Sequence, residues 1–125
     1  MKRVYVAGAY RGPNIETILD NVRNGCEWVS VLNSLGFFTY NPWADLLEAI
    51  HTKLPVEFWM SRSLSFLSVC EALFLTPGWE TSVGTMKELV LAFKLGIPVF
   101  DTIEDLLAWA DGGSTYKTVG AEVIA

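Results

Sequence analysis

The segment Ala72–Phe100, ALFLTPGWETSVGTMKELVLAFKLGIPVF, decides the fold. Ala72 to Leu75 is a short apolar run that reads as a buried strand, and PGWETS is a loop built from turn residues. Val83 to Leu95 then carries helical spacing that Gly96 ends, and Pro98 to Phe100 reads as a further strand. One acid, Glu88, sits inside this otherwise apolar helix, on the face shared by Gly84, Leu91, Ala92 and Leu95. Lys87 and Lys94 mark a different edge that can face water. Carboxylates rarely occupy such a position without a partner or a task. In an open α/β sheet, ligands bind at the carboxyl ends of strands, beside the amino ends of the following helices. Glu88 projects from the early turns of such a helix. Position alone accounts equally well for a charge near a helix start or for a lysine partner.

The same alternation extends outward in both directions. Arg3 to Gly8 is strand-like, and Ile15 to Leu35 repeats apolar residues at Ile18, Val22, Cys26, Val29 and Leu32 before Gly36 stops it. Phe37 to Tyr40 reads as a strand, Trp43 to Ile50 as a short helix, Pro55 to Val69 as a longer one, and Ile103 to Ala110 as the last. Asp111 to Thr115, with two glycines, is a join to the tail. Strands that alternate with helices predict a parallel sheet with helices on both faces and right-handed crossovers.

A chain of 125 residues suits one domain spanning 1–125, and 51% hydrophobic against 18% charged residues supports a well-buried core. The net charge of −5 disfavours a nucleic-acid polymer as partner, yet permits a small anion held by one arginine and backbone amides. Cys26 and Cys70 are far apart and lack metal-ligand spacing, so they are expected to be reduced core residues in a cytoplasmic protein. His51 is the only histidine, which excludes a multi-histidine metal site. No metal or redox cofactor is expected. The start MKRVYVAGAY has too short an apolar run for a signal peptide, and no later run could span a membrane.

A second place for chemistry is GAYRGPN, Gly8 to Asn14, where the first strand gives way to a helix. Gly8 and Gly12 allow close backbone approach, Arg11 offers a forked donor, and Pro13 with Asn14 begins a helix whose free amides could take an anion. The segment lacks the Lys-Ser/Thr of the P-loop and the third glycine of the dinucleotide fingerprint. An ordinary turn with a solvated arginine accounts for it too. Trp43, Trp59 and Trp79 can stack on a base or pack a core; Trp79 shares its loop with Glu80 and Ser82.

Taken in order, YVAGAYRG, the first helix and second strand, and CEALFLTPGWETSVGTMKELVLAFKLGIPV resemble the nucleoside 2-deoxyribosyltransferase superfamily over about the first hundred residues. That superfamily includes the 2′-deoxynucleoside 5′-monophosphate N-hydrolases. The resemblance implies a Rossmann-like (flavodoxin-like) three-layer α/β sandwich with a mainly parallel sheet of four to five strands, assembled as a homodimer or higher homo-oligomer. It implies that Glu88 is the nucleophile and that Tyr5 contacts it, although a core tyrosine accounts for Tyr5 equally well. Arg11 and Ser82 resemble the phosphate-accepting hydrolases; the transferases carry an aspartate at the position of Ser82. Gly8, Tyr10, Trp79, Gly84 and Met86 join the substrate-binding set. Ser63 does as well, although relatives carry an aspartate in the Asp-Leu pair that corresponds to Ser63-Leu64. Glu80, in the loop before Ser82, is the acid available to take over part of the proton traffic, and a plain solvated loop acid accounts for it equally well. Ser114, Thr115 and Tyr116 are candidates for completing a neighbouring subunit's site.

The chemistry of the residues agrees with that implication. Breaking an N-glycosidic bond builds positive charge on the sugar, which a carboxylate stabilises or captures as a covalent intermediate. The expected partner is a small-molecule nucleoside or its 5′-monophosphate, and the expected activity is N-glycosidase or deoxyribosyl transfer. The alternative set by Ser63 is a protein that binds a nucleotide without turning it over.

Overall fold

The computed structural model describes residues 2–120. Strands β1 (Arg3–Ala7), β2 (Phe38–Tyr40), β3 (Ala72–Leu75) and β4 (Val99–Phe100) form one parallel sheet in the order β2-β1-β3-β4. Helices α1 (Ile15–Ser34), α2 (Asp45–His51), α3 (Val56–Leu67), α4 (Val83–Leu95) and α5 (Ile103–Ala110) alternate with them, and 3-10 turns occupy Pro42–Ala44 and Trp79–Thr81. This is the α/β flavodoxin-like architecture, with four strands among the described residues.

Alternation along the strands makes the two cores. Val4, Val6, Ala72, Phe74 and Phe100 face one way and pack with Val29 and Leu32 of α1 and Leu106 of α5. Tyr5, Ala7, Leu73, Leu75 and Val99 face the other way, against Leu67 of α3 and Leu89 and Ala92 of α4. All four residues of β3 are buried, as a central parallel strand covered on both faces requires. Trimming Leu89, which is fully buried, to Ala would cost about 2–5 kcal/mol through lost burial and a residual cavity.

Element ends follow local chemistry. Asn14, Ser82 and Thr102 each accept a hydrogen bond from a first-turn amide of α1, α4 and α5. Gly96 closes α4 in the left-handed region at φ 71°. That closure leaves Leu95 half exposed, whereas the helical face had placed it with Glu88. The amide of Val119 donates to the Val99 carbonyl, so the chain after α5 returns to the outer edge of β4. Among the described residues no helix is long and apolar enough to cross a membrane.

Candidate functional site

β1 has neighbours on both sides, β2 and β3, and the chain leaves its carboxyl end at Gly8. A reversal of strand order of this kind opens a crevice above the sheet. A cavity of about 540 Å³ lies there, walled by the loop after β1, the start of α2, the inner face of α3 and the first turns of α4.

Side chains from three elements pin the loop after β1. Thr85 Oγ1 of α4 donates to the Gly8 carbonyl at 3.2 Å, Trp43 Nε1 to the Ala9 carbonyl at 3.0 Å, and Asn21 Nδ2 of α1 to the Tyr10 carbonyl at 3.0 Å. Gly8 is required by packing: a Cβ there would lie 1.9 Å from Thr76 Oγ1 and 3.2 Å from the Trp43 ring. The close approach expected at this glycine is therefore to protein. At Gly84 a Cβ would meet Met60 Cε at 3.4 Å and Ser82 Oγ at 4.0 Å, both ordinary contacts, so that glycine keeps the crevice wall low.

Glu88 is 7% exposed, and its carboxyl lines the cavity. Burial pushes that carboxyl up to about 7; the Tyr5 hydroxyl opposes the rise and the Asp45 charge adds to it. Tyr5 is fully buried, with its hydroxyl turned toward Glu88 and Ser63. Burial and then the Glu88 charge hold this phenol far above its ordinary range, so it stays protonated. It is a donor without a hydrogen-bond partner of regular geometry among the described residues.

Tyr5, Gly8, Tyr10, Arg11, Ser63, Ser82, Gly84 and Glu88, all singled out in the sequence, come together around this one cavity. Ser82 also caps α4, its Oγ accepting from the Thr85 amide at 3.2 Å. Three expected positions lie elsewhere. Gly78, at φ 89°, turns the chain so that Trp79 enters the core beneath the loop and Glu80 faces solvent, outside the cavity lining. Met86 lies two residues beyond Gly84, on another side of α4, and packs against the core. Ser114, Thr115 and Tyr116 do not line the chain's own crevice, and the Tyr116 ring lies 5.8 Å from that of Phe100.

Sequence reading missed Asp45, Lys87 and Arg62. Asp45 and Lys87 line the cavity. Arg62 Nη2 donates to Asp45 Oδ1 at 2.6 Å, and Arg62 Nη1 donates to Glu48 Oε2 at 2.7 Å. The available signal for Asp45 was its place just after β2, since residues that follow strand carboxyl ends face the crevice.

No curated protein matches this chain. The chain is similar in structure to a 2-deoxyribosyltransferase from the psychrotolerant bacterium Bacillus psychrosaccharolyticus. The TM-score is 0.60 at 19% identity, covering 98% of this chain and 90% of that one. This likeness is one of fold. The model of a domain of unknown function, DUF4406, matches residues 2–101, which run from β1 through β4 and carry every wall of the crevice. The chain belongs to the DUF4406 family.

Proposed function

We propose that this protein cleaves the N-glycosidic bond of a nucleoside 5′-monophosphate, with Glu88 as nucleophile. The observation that carries the reading is a buried carboxyl, Glu88, on the wall of a sheet-end crevice beside a protonated tyrosine hydroxyl. Such a group, once ionised, is positioned to attack the anomeric carbon as positive charge develops there. Arg11, Lys87, the Ser82 hydroxyl and the amino end of α4 supply donors and positive potential for a 5′-phosphate at the same rim. Trp43, Trp59, Leu46 and Val56 offer an apolar wall for a base. The solved 2-deoxyribosyltransferase of like fold is consistent with this chemistry. Assembly as a homodimer or larger belongs to the same reading.

Incubation with a panel of ribo- and deoxynucleosides and their 5′-monophosphates, followed by chromatography, is the test. Free base should appear with the wild-type chain and be lost with Glu88→Gln. Turnover unchanged in that variant would remove Glu88 from the chemistry. The second reading, nucleotide binding without turnover, is favoured by the neutral Ser63 on the crevice wall, at the position where the resemblance to the deoxyribosyltransferase superfamily leads one to expect an aspartate. It predicts a rise in melting temperature with nucleotide and no free base.

A further inference from the structure

The crevice contains a second carboxyl that the reading above leaves idle. Asp45 opens α2 directly after the Pro42–Ala44 turn, and its side chain is 18% exposed. Arg62 of α3 holds both Asp45 and Glu48, but only Asp45 lines the cavity; Glu48 is 60% exposed and lies outside the lining. An ion pair serving only to tie α2 to α3 is already available through Glu48. The guanidinium is itself fixed, with its central carbon 4.9 Å from the Trp59 ring.

Hydroxyls lie between the two acids: those of Tyr5 and Ser63, which line the cavity, and that of Tyr40 behind them. Tyr40 of β2 stacks on Tyr5 with ring centroids 5.1 Å apart, and its hydroxyl is turned toward Asp45 and Ser63. The Tyr5 hydroxyl is turned toward Ser63 and Glu88. Both phenolic oxygens are buried without a hydrogen-bond partner of regular geometry among the described residues. The order across the floor is therefore Glu88, Tyr5, Ser63, Tyr40, Asp45. Ser63 is small and neutral and is flanked by both tyrosines, so position 63 needs no acid if Asp45 supplies one.

We propose that Asp45 is the second acid of this crevice, giving its proton to the departing base and later taking one from water. The proposal rests on the glycosidic reading. In the first step a Glu88 oxygen bonds to the anomeric carbon. The carbon–nitrogen bond breaks with its electron pair going to the base, and the Asp45 proton moves onto the base. In the second step water bonds to the anomeric carbon, its proton returns to Asp45, and the Glu88 carboxylate departs with the electron pair of the ester bond. One water is consumed, and the base and the free sugar phosphate are released. The groups facing Asp45 suit this cycle. Burial, the largest influence, and Glu48 on α2 raise its carboxyl above the ordinary range, against Arg62 of α3 and the Tyr40 hydroxyl, which favour its charged form. Tyr40 of β2 lies beside it, and Glu88 of α4 interacts with it across the crevice. Both carboxyls are raised above their ordinary range and the Asp45 charge adds to the rise at Glu88, so the crevice can hold a proton between the two acids; once Glu88 is esterified that coupling ends and Asp45 can act as base.

Asp45→Asn keeps the shape and a hydrogen bond to Arg62 while removing the proton, and leaving-group dependence is the readout. Base release from the preferred nucleoside 5′-monophosphate should fall by about 10²–10⁴-fold. Formation of the first equivalent of 4-nitrophenolate from 4-nitrophenyl 2-deoxyriboside 5-phosphate needs no proton, so its burst rate should stay within about 3-fold of wild type, while steady-state release falls because Asp45 also takes the proton of the attacking water. Glu88→Gln should lose both activities. Equal losses on the two substrates in the first turnover would make Asp45 a positioning residue and overturn the proposal, as would unchanged base release. A wild-type chain inactive on both would overturn the glycosidic reading itself, and the proposal with it.

Discussion

Glu88→Gln should make the protein more stable at alkaline pH while abolishing its chemistry. In the folded chain the Glu88 carboxyl rises from 4.5 to about 7. At about 1.4 kcal/mol per pH unit, that rise corresponds to about 3 kcal/mol. The folded state binds this proton more tightly than the unfolded state does. The associated stability is therefore fully present below pH 4.5, declines as pH rises, and is gone above about pH 7. Glutamine has the shape of the protonated acid at every pH. The variant should match wild type near pH 4.5 and exceed it by about 3 kcal/mol at pH 8, or about 10 °C in Tm for a chain of this size. Urea unfolding of both proteins between pH 4.5 and 8, followed by tryptophan fluorescence, measures this directly. Contributions of groups that do not interact with Glu88 cancel in the difference between the two curves, which reads Glu88 together with its coupling to Asp45 and Tyr5. A difference that does not change with pH, or a wild type that is the more stable at pH 8, would refute the argument. Either would mean that the ionised carboxylate is compensated in the folded state.

Three further perturbations test neighbouring parts of the site. Tyr5→Phe removes a donor that favours ionised Glu88, so the pH at which base release rises should move upward from about 7; an unmoved pH–rate profile would uncouple the two residues. Arg11→Ala should raise KM for a nucleoside 5′-monophosphate by roughly 10–100-fold, the loss of one charged hydrogen bond, with little effect on the free nucleoside; equal effects on both would take Arg11 off the phosphate. Gly8→Ala places a Cβ 1.9 Å from Thr76 Oγ1 and should destabilise by about 1–3 kcal/mol, whereas Gly84→Ala, with Met60 Cε at 3.4 Å, should unfold at the wild-type urea midpoint.

Much of the fold is legible in the sequence because its signals are local. Gly36 and Gly96 stop helices where the chain needs positive φ, and the apolar period changes at each junction between strand and helix. Ala72–Leu75 and Val83–Leu95 have in the structure the bounds that their sequence patterns indicate. Glu88 stood out because a charge on an apolar helix face breaks the period around it. The misplaced residues share one cause. Trp79 and Glu80 share a loop with Ser82 in the sequence, yet after the left-handed Gly78 the Trp79 ring packs in the core and Glu80 faces solvent. Met86, which the resemblance places in the substrate-binding set, packs against the core because helical positions two residues from Gly84 and Glu88 face another way.

The sequence by itself determined the order of elements, the two-faced strands and the two segments that carry Glu88 and Arg11, because periodicity and turn chemistry act over a few residues. Only the tertiary structure decided which acid stands opposite Glu88. Asp45 lies 43 positions before Glu88 in the chain. No local pattern relates the two, and their meeting depends on the return of α2 and α3 over the carboxyl ends of β1 and β3. Tertiary burial also raises the Glu88 carboxyl to about 7, since the desolvation responsible comes from elements far apart in sequence.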